Sequence, residues 1–241
     1  MTQGLEVRPS DGIEASLVIS CPMRLTGTAM NFLSRGNSGL SFQAPIIAGP
    51  EVNLTLEGLS HQFRPGPGSD FRASLHVLSG SLAIVNSPRA FGGPITVGGG
   101  PSGASLIIQS GSLTFGSPPL TVRSNGSVMN IATVNTFGPL SVSSGTLTLG
   151  GTSPQGRLAV DGDALFENGT LIRANAFSSG VPGEISVTGR VHLASCRLEV
   201  FPEVSLQSPS VLIRNDGNDA VVGTFTGLPE GALVSSRTRV F

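Results

Sequence analysis

The chain reads as an all-β protein, a right-handed parallel β-helix (β-solenoid) of roughly eight to ten irregular coils of about 18–27 residues, and three observations predict it. A strand-like phrase returns five times: Pro94-Ile95-Thr96-Val97, Pro119-Leu120-Thr121-Val122, Pro139-Leu140-Ser141-Val142, Arg157-Leu158-Ala159-Val160 and Glu184-Ile185-Ser186-Val187. Its steps of 25, 20, 18 and 27 residues vary in length while the pattern stays constant, as stacked coils with variable turns would. A turn phrase runs beside it at Ser79-Gly80-Ser81-Leu82, Ser110-Gly111-Ser112-Leu113, Asn125-Gly126-Ser127-Val128, Ser144-Gly145-Thr146-Leu147 and Asn168-Gly169-Thr170-Leu171, with glycine expected to carry the positive φ. Thirdly, apolar residues fall at i, i+2 and i+4, and no window sustains a helical stripe. Corners as short as that between Val142 and Thr146 leave no room for a crossover helix of a dozen residues. A propeller would repeat at about 40–50 residues with aromatic signatures. A sandwich would not repeat its sequence, and handedness follows from the general chirality of parallel crossovers.

In chain order, Leu5-Glu6-Val7 and Ala15-Ser16-Leu17-Val18-Ile19 form the first coil around a polar turn at Ser10-Asp11-Gly12. Met23-Arg24-Leu25, Met30-Asn31-Phe32-Leu33 and Gly39-Leu40-Ser41-Phe42 follow as half-buried strands bounded by Gly, Asn or Ser. Val52 to Leu56 alternates cleanly, with its apolar side chains on one face. His61 to Arg72 is the longest excursion, and its Pro65-Gly66-Pro67-Gly68 predicts a loop projecting from the stack. Beyond it the triplets centre the ladder on Leu54, Leu75, Ile95, Leu120, Leu140, Leu158, Ile185 and Val211, with Thr55, His76, Thr96, Thr121, Ser141, Ala159, Ser186 and Leu212 facing outward. Residues 1–214 read as the solenoid and 215–241 as a C-terminal closing segment.

Charged residues make up 12% of the chain, about half the usual share of roughly 25%, and Arg supplies all 14 positive charges because there is no Lys. A net charge of -1 without a basic cluster offers no electrostatic footprint for nucleic acid. No apolar run is long enough to span a bilayer, and residues 1–8 lack the basic and apolar regions of a signal peptide. Cys21 and Cys196 belong to distant coils, too far apart for the Cα separation of about 7 Å that a disulfide tolerates, so two free, buried thiols are expected.

The run Asn215-Asp216-Gly217-Asn218-Asp219-Ala220-Val221-Val222-Gly223-Thr224-Phe225 resembles the C-terminal closing motif of bacterial autotransporter-associated β-strand repeat proteins. The turn phrases extend that resemblance loosely over residues 75–232. It implies a passenger-like parallel β-helix and an extracellular or bacterial cell-surface location. In that family an aromatic strand and a further turn follow the phrase, whereas here the chain stops at Thr238-Arg239-Val240-Phe241, as a segment of a longer chain would.

Candidate chemistry is sparse. Asp161-Gly162-Asp163 and the 215–219 tract lack the six to eight oxygens and the repeated nonapeptide of calcium sites, and read as Asx turns. His76 and His192 sit between apolar strand residues and so face outward, while His61 opens the projecting loop; none accompanies a nucleophile phrase. No catalytic, cofactor-binding or metal-ligating residue is assigned. The expectation is a non-catalytic structural or adhesive surface segment. Its partners would be further coils of a longer chain, other copies joined through the solenoid ends, or surface glycans. The alternative is a carbohydrate-active β-helix, lyase or hydrolase, with its site in the loops at 59–72 and 172–183. For that reading two nearby carboxylates would be the simplest arrangement.

Overall fold

Alternation at period two sends every second side chain into the stack, and in the computed structural model the chain winds as a parallel β-solenoid. The structure describes residues 3–7, 16–35, 38–85, 91–109, 113–114, 117–130, 134–150, 156–176, 182–202, 210–216, 219–230 and 232, and every element among them is a strand or turn. Each coil has three sides.

The first face is a ten-stranded sheet: Gln3–Val7, Ala29–Ser34, Asn53–Glu57, Ser74–Val77, Ile95–Val97, Leu120–Val122, Leu140–Val142, Ala164–Phe166, Val191–Ala194 and Val221–Thr224. The second has nine strands: Ser16–Ile19, Gly39–Phe42, Ser60–Phe63, Gly80–Val85, Ala104–Gln109, Gly126–Asn130, Thr146–Leu149, Leu171–Ala176 and Arg197–Pro202. The third side comprises Met23–Leu25, Ile46–Ala48 and Asp70–Phe71, extended by a Phe71–Phe91 bridge, then Leu113–Thr114, Val134–Phe137, Arg157–Val160, Glu184–Val187 and Ile213–Asn215. Nine coils are thus followed by the first strand of a tenth, within the expected range.

The inward columns fill the axis. On the first face Leu54, Leu75, Ile95, Leu120 and Leu140 stack in register and are almost completely buried. Each such side chain contributes about 1.5–3 kcal/mol. The column then continues through Ala164, Val191 and Val221, which corrects the expected order. Leu158 and Ile185 are indeed in register with one another, but on the third side, where they follow Asn135. The outward positions of the first face are therefore Thr55, His76, Thr96, Thr121, Ser141, Leu165, His192 and Val222. In the early coils aromatic rings fill the interior: Phe42 meets Phe63 edge-on at 4.8 Å, and Phe71 and Phe91 lie 5.2 Å apart.

At the corner between the first two faces Gly80 (φ 75°) and Gly169 carry the expected positive φ, but the other described turn phrases differ. Two positions ahead of the aligned Ser127, Thr146, Leu171 and Arg197, the left-handed conformation is held by Asn125 (φ 60°), Ser144 (φ 54°), Gly169 (φ 82°) and Ser195 (φ 54°). In Asn125-Gly126 and Ser144-Gly145 the positive φ belongs to Asn and Ser. The glycines serve close approach instead: a Cβ on Gly126 would lie 2.3 Å from the Val97 carbonyl oxygen. The same inward corner position holds Thr170, whose hydroxyl donates to the Val142 carbonyl at 2.7 Å, and then Cys196.

At the C-terminal end Phe225 and Leu228 pack against the core, and the Thr226 amide donates to the Cys196 carbonyl at 2.8 Å. Val221 nevertheless stays 50% exposed, whereas Val191, one rung below it in the same column, is fully covered.

Candidate functional site

Three of the sequence expectations about particular residues change. His61 lies in the strand Ser60–Phe63 and occupies an inward position between Leu40 and Leu82, with 1% exposure. Its Nε2 is 3.0 Å from the Glu57 carbonyl, so this nitrogen donates, and Nδ1 is buried with no partner. Burial pulls the His61 pKa down, against a smaller upward pull from that hydrogen bond. A signal for this placement existed, since His61-Gln62-Phe63 repeats the spacing of Leu40-Ser41-Phe42 one coil earlier. The expected projecting loop shortens to residues 64–69, and it is tied down. The Ser69 hydroxyl donates to the Gly66 carbonyl at 2.8 Å and accepts from the Ile46 amide at 3.1 Å. Of the two cysteines, both free, Cys196 is buried and its thiol is pushed up to about 11 by burial, but Cys21 is exposed.

The loops at 59–72 and 172–183 are not brought together. They belong to second-face strands five rungs apart, about 24 Å, and residues 177–181 lie outside the described residues. His76 and His192 do face outward and share one column, again five rungs apart. The His76 pKa is lowered by burial and then by the charge of Arg123.

Charges of neighbouring rungs meet as opposites. Glu184 lies between Arg157 at 3.3 Å and Arg214 at 2.9 Å, and Arg173 pairs with Glu199 at 3.0 Å. The turn Asp161-Gly162-Asp163 is used in the same way. The Gly162 amide donates to Thr188 Oγ1 at 2.9 Å, and Asp163 accepts from the Arg190 amide and guanidinium at 2.9 and 3.0 Å. Those two bonds, the amide's first, hold the Asp163 carboxyl below the usual carboxylate range. Among the described residues no group of three His, Cys, Asp or Glu is placed to hold a metal ion.

A concavity of about 520 Å³ lies on the outer side of the first face. One edge consists of the residues just ahead of the strands: Pro119, Pro139, Asp163 and Arg190. Thr121, Ser141, Leu165, His192 and Val222 line it from the outward column. It crosses five rungs, so its length along the axis is about 19 Å. Asp163 is the only carboxylate among its described lining residues, and it is already paired with Arg190. Sequence reading missed the upper half of this groove, although Ala164-Leu165-Phe166 and Val191-His192-Leu193 carry the same apolar-x-apolar signature as the triplets that were assigned.

No protein-family model matches the chain, and neither a curated protein nor a solved structure matches it.

Proposed function

We propose that the chain is a non-catalytic β-solenoid segment of a bacterial surface or secreted protein of the autotransporter-associated repeat kind, serving as a spacer and an extended adhesive face. The observation that carries this reading is the outward column of the first face. From Thr55 to Ser141 it offers hydroxyls and one imidazole, while the carboxylates Asp163, Glu184 and Glu199 on neighbouring surfaces are engaged by arginines of adjacent rungs. Glycoside cleavage uses two carboxylates flanking one bond, and the groove is lined by one. The resemblance of the 215–225 phrase supports the surface assignment. The exposed Val221 and Val222, on the last strand of the first face, support association with further coils or with other copies.

The reading is tested by incubating the chain with neutral and acidic polysaccharides and assaying new reducing ends and unsaturated ends. No turnover is expected, and turnover abolished by Asp163→Asn would replace the reading with an enzymatic one.

A further inference from the structure

We propose that the groove on the first face binds a neutral, extended oligosaccharide lying along the solenoid axis. The inference deepens the adhesive, non-catalytic reading and rests on it. Four features of the groove converge on this ligand class.

Its volume of about 520 Å³ falls within the range of roughly 300–1,000 Å³ typical of ligand pockets. Its shape is linear, crossing five strands, and rungs recur every 4.8 Å or so. The sugar units of a β-1,4-linked chain recur at a comparable spacing, so successive sugars can meet successive rungs.

The lining alternates the two surfaces that a sugar presents. Pro119, Pro139, Leu165 and Val222 provide apolar faces for ring C–H groups. Thr121, Ser141 and His192 supply hydroxyl and imidazole groups able to donate and accept.

Among the described lining residues the only charges are Asp163 and Arg190, joined at 3.0 Å, so the groove carries a neutral pair rather than a field of one sign. That arrangement suits a polyol, to which the carboxylate can accept and the guanidinium donate. It gives no advantage to a polyanion.

An extended peptide is the natural competitor, and the sheet disfavours it. The strands Leu120–Val122, Leu140–Val142, Ala164–Phe166 and Val191–Ala194 each have a parallel partner on both sides. Their backbone groups are engaged in the ladder, so the only strand edge at the groove is that of the last strand, Val221–Thr224, and it runs across the end of the groove rather than along its length.

The test is ¹⁵N-HSQC titration of the full chain with cellotetraose, β-1,4-mannotetraose and tetra-N-acetylchitotetraose. Tetragalacturonate and a Thr-Val repeat peptide serve as competitors in class. At least one neutral tetramer should give saturable shifts centred on the amides of Thr121, Ser141, Leu165 and His192. Leu165→Asp and the double variant Thr121→Ala/Ser141→Ala should each weaken its Kd at least fivefold. Ile107→Ser, an outward position on the second face, should leave it unchanged. All of these are surface positions, and a preserved HSQC spectrum verifies the fold of each variant. The proposal is overturned if no neutral tetramer binds, if the acidic tetramer or the peptide binds more tightly, or if the groove variants bind like the parent chain. Absence of binding without cleavage removes the groove as a site and leaves the structural reading intact. Groove binding accompanied by new anomeric signals upholds the site and defeats the non-catalytic reading.

Discussion

The glycine in Asn125-Gly126 offers a direct test of how the corners are built. If Gly126 carried the left-handed conformation, Gly126→Ala would cost roughly 1–2 kcal/mol from φ alone. In the structure it is Asn125 that sits at φ 60°, and Gly126 is constrained by space. The added methyl would lie 2.3 Å from the Val97 carbonyl oxygen and 2.8 Å from that of Arg123, both of them backbone atoms. The Val97 oxygen also accepts the Arg123 amide at 2.8 Å, so pushing it aside weakens a rung-to-rung hydrogen bond. Overpacking of about 1–3 kcal/mol plus about 1 kcal/mol for that bond gives about 2–4 kcal/mol. At roughly 2–4 °C per kcal/mol for a chain of this size, Tm should fall by roughly 5–15 °C. Asn125→Gly should change stability by less than about 0.5 kcal/mol, because glycine accepts positive φ and the bond it removes, from Asn125 Nδ2 to the Gly100 carbonyl at 3.2 Å, is exposed. Thermal and urea unfolding of the two variants beside the parent chain measures both. Tolerance of Gly126→Ala within 0.5 kcal/mol, together with marked destabilisation by Asn125→Gly, would refute this corner geometry.

Other expectations address the interior. Because burial lowers the His61 pKa, the unfolded chain takes up a proton below about 6.5 while the folded chain does not. Stability should therefore fall as pH drops from 6.5 toward the folded value and level off beneath it; His76, shifted the same way, adds to the slope. Urea midpoints across pH 7 to 4 should show a smaller slope in His61→Leu, and an unchanged slope would contradict the buried placement. Phe63→Ala, which removes a ring packed against Phe42 at 4.8 Å, should cost about 3–5 kcal/mol. Hydrogen exchange should speed up first in the strands Gly39–Phe42 and Gly80–Val85, since each rung depends mainly on its neighbours. With an aromatic disulfide reagent at neutral pH, Cys21 should react in the native chain and Cys196 only after denaturation. Equal native rates would contradict the burial of Cys196.

The ladder itself was legible in the sequence because alternation at period two is a local property that any half-buried strand must show. Which side of the coil a strand occupies is not local. Leu140-Ser141-Val142 and Leu158-Ala159-Val160 have the same pattern, yet one lies on the first face and the other on the third side, because the intervening corners decide how far the chain has turned. His61 was misread for a related reason. A polar residue next to Pro65-Gly66-Pro67-Gly68 resembles the start of a loop, and only alignment against Leu40 and Leu82 reveals its inward register. Gly80 and Gly169 carry the expected positive φ, but Gly126 and Gly145 do not, because turn propensity alone does not separate a need for positive φ from a need for no Cβ. The groove was invisible for a third reason. It requires Asp163 and Arg190 to meet across a rung and Leu165 to stand beside His192, and both contacts depend on register between coils.

A solenoid repeats its neighbours' environment at every rung, so a localised site can arise only where the repeat is broken. On the first face the outward column runs through Thr96, Thr121 and Ser141, and then changes to Leu165, His192 and Val222. The corner alongside changes over the same rungs, from Pro119 and Pro139 to the paired Asp163 and Arg190. The step between aligned residues varies as well, being 25 residues from Ile95 to Leu120, 20 from Leu120 to Leu140, 24 from Leu140 to Ala164 and 27 from Ala164 to Val191. The strands stay in register through all of these steps, so the length of a coil is separated from the pairing of the inward column. That separation lets the outer surface acquire bulk, charge and an imidazole without cost to the inward stack. It is also why substitutions at Leu165 or Ser141 can probe binding while leaving the fold in place.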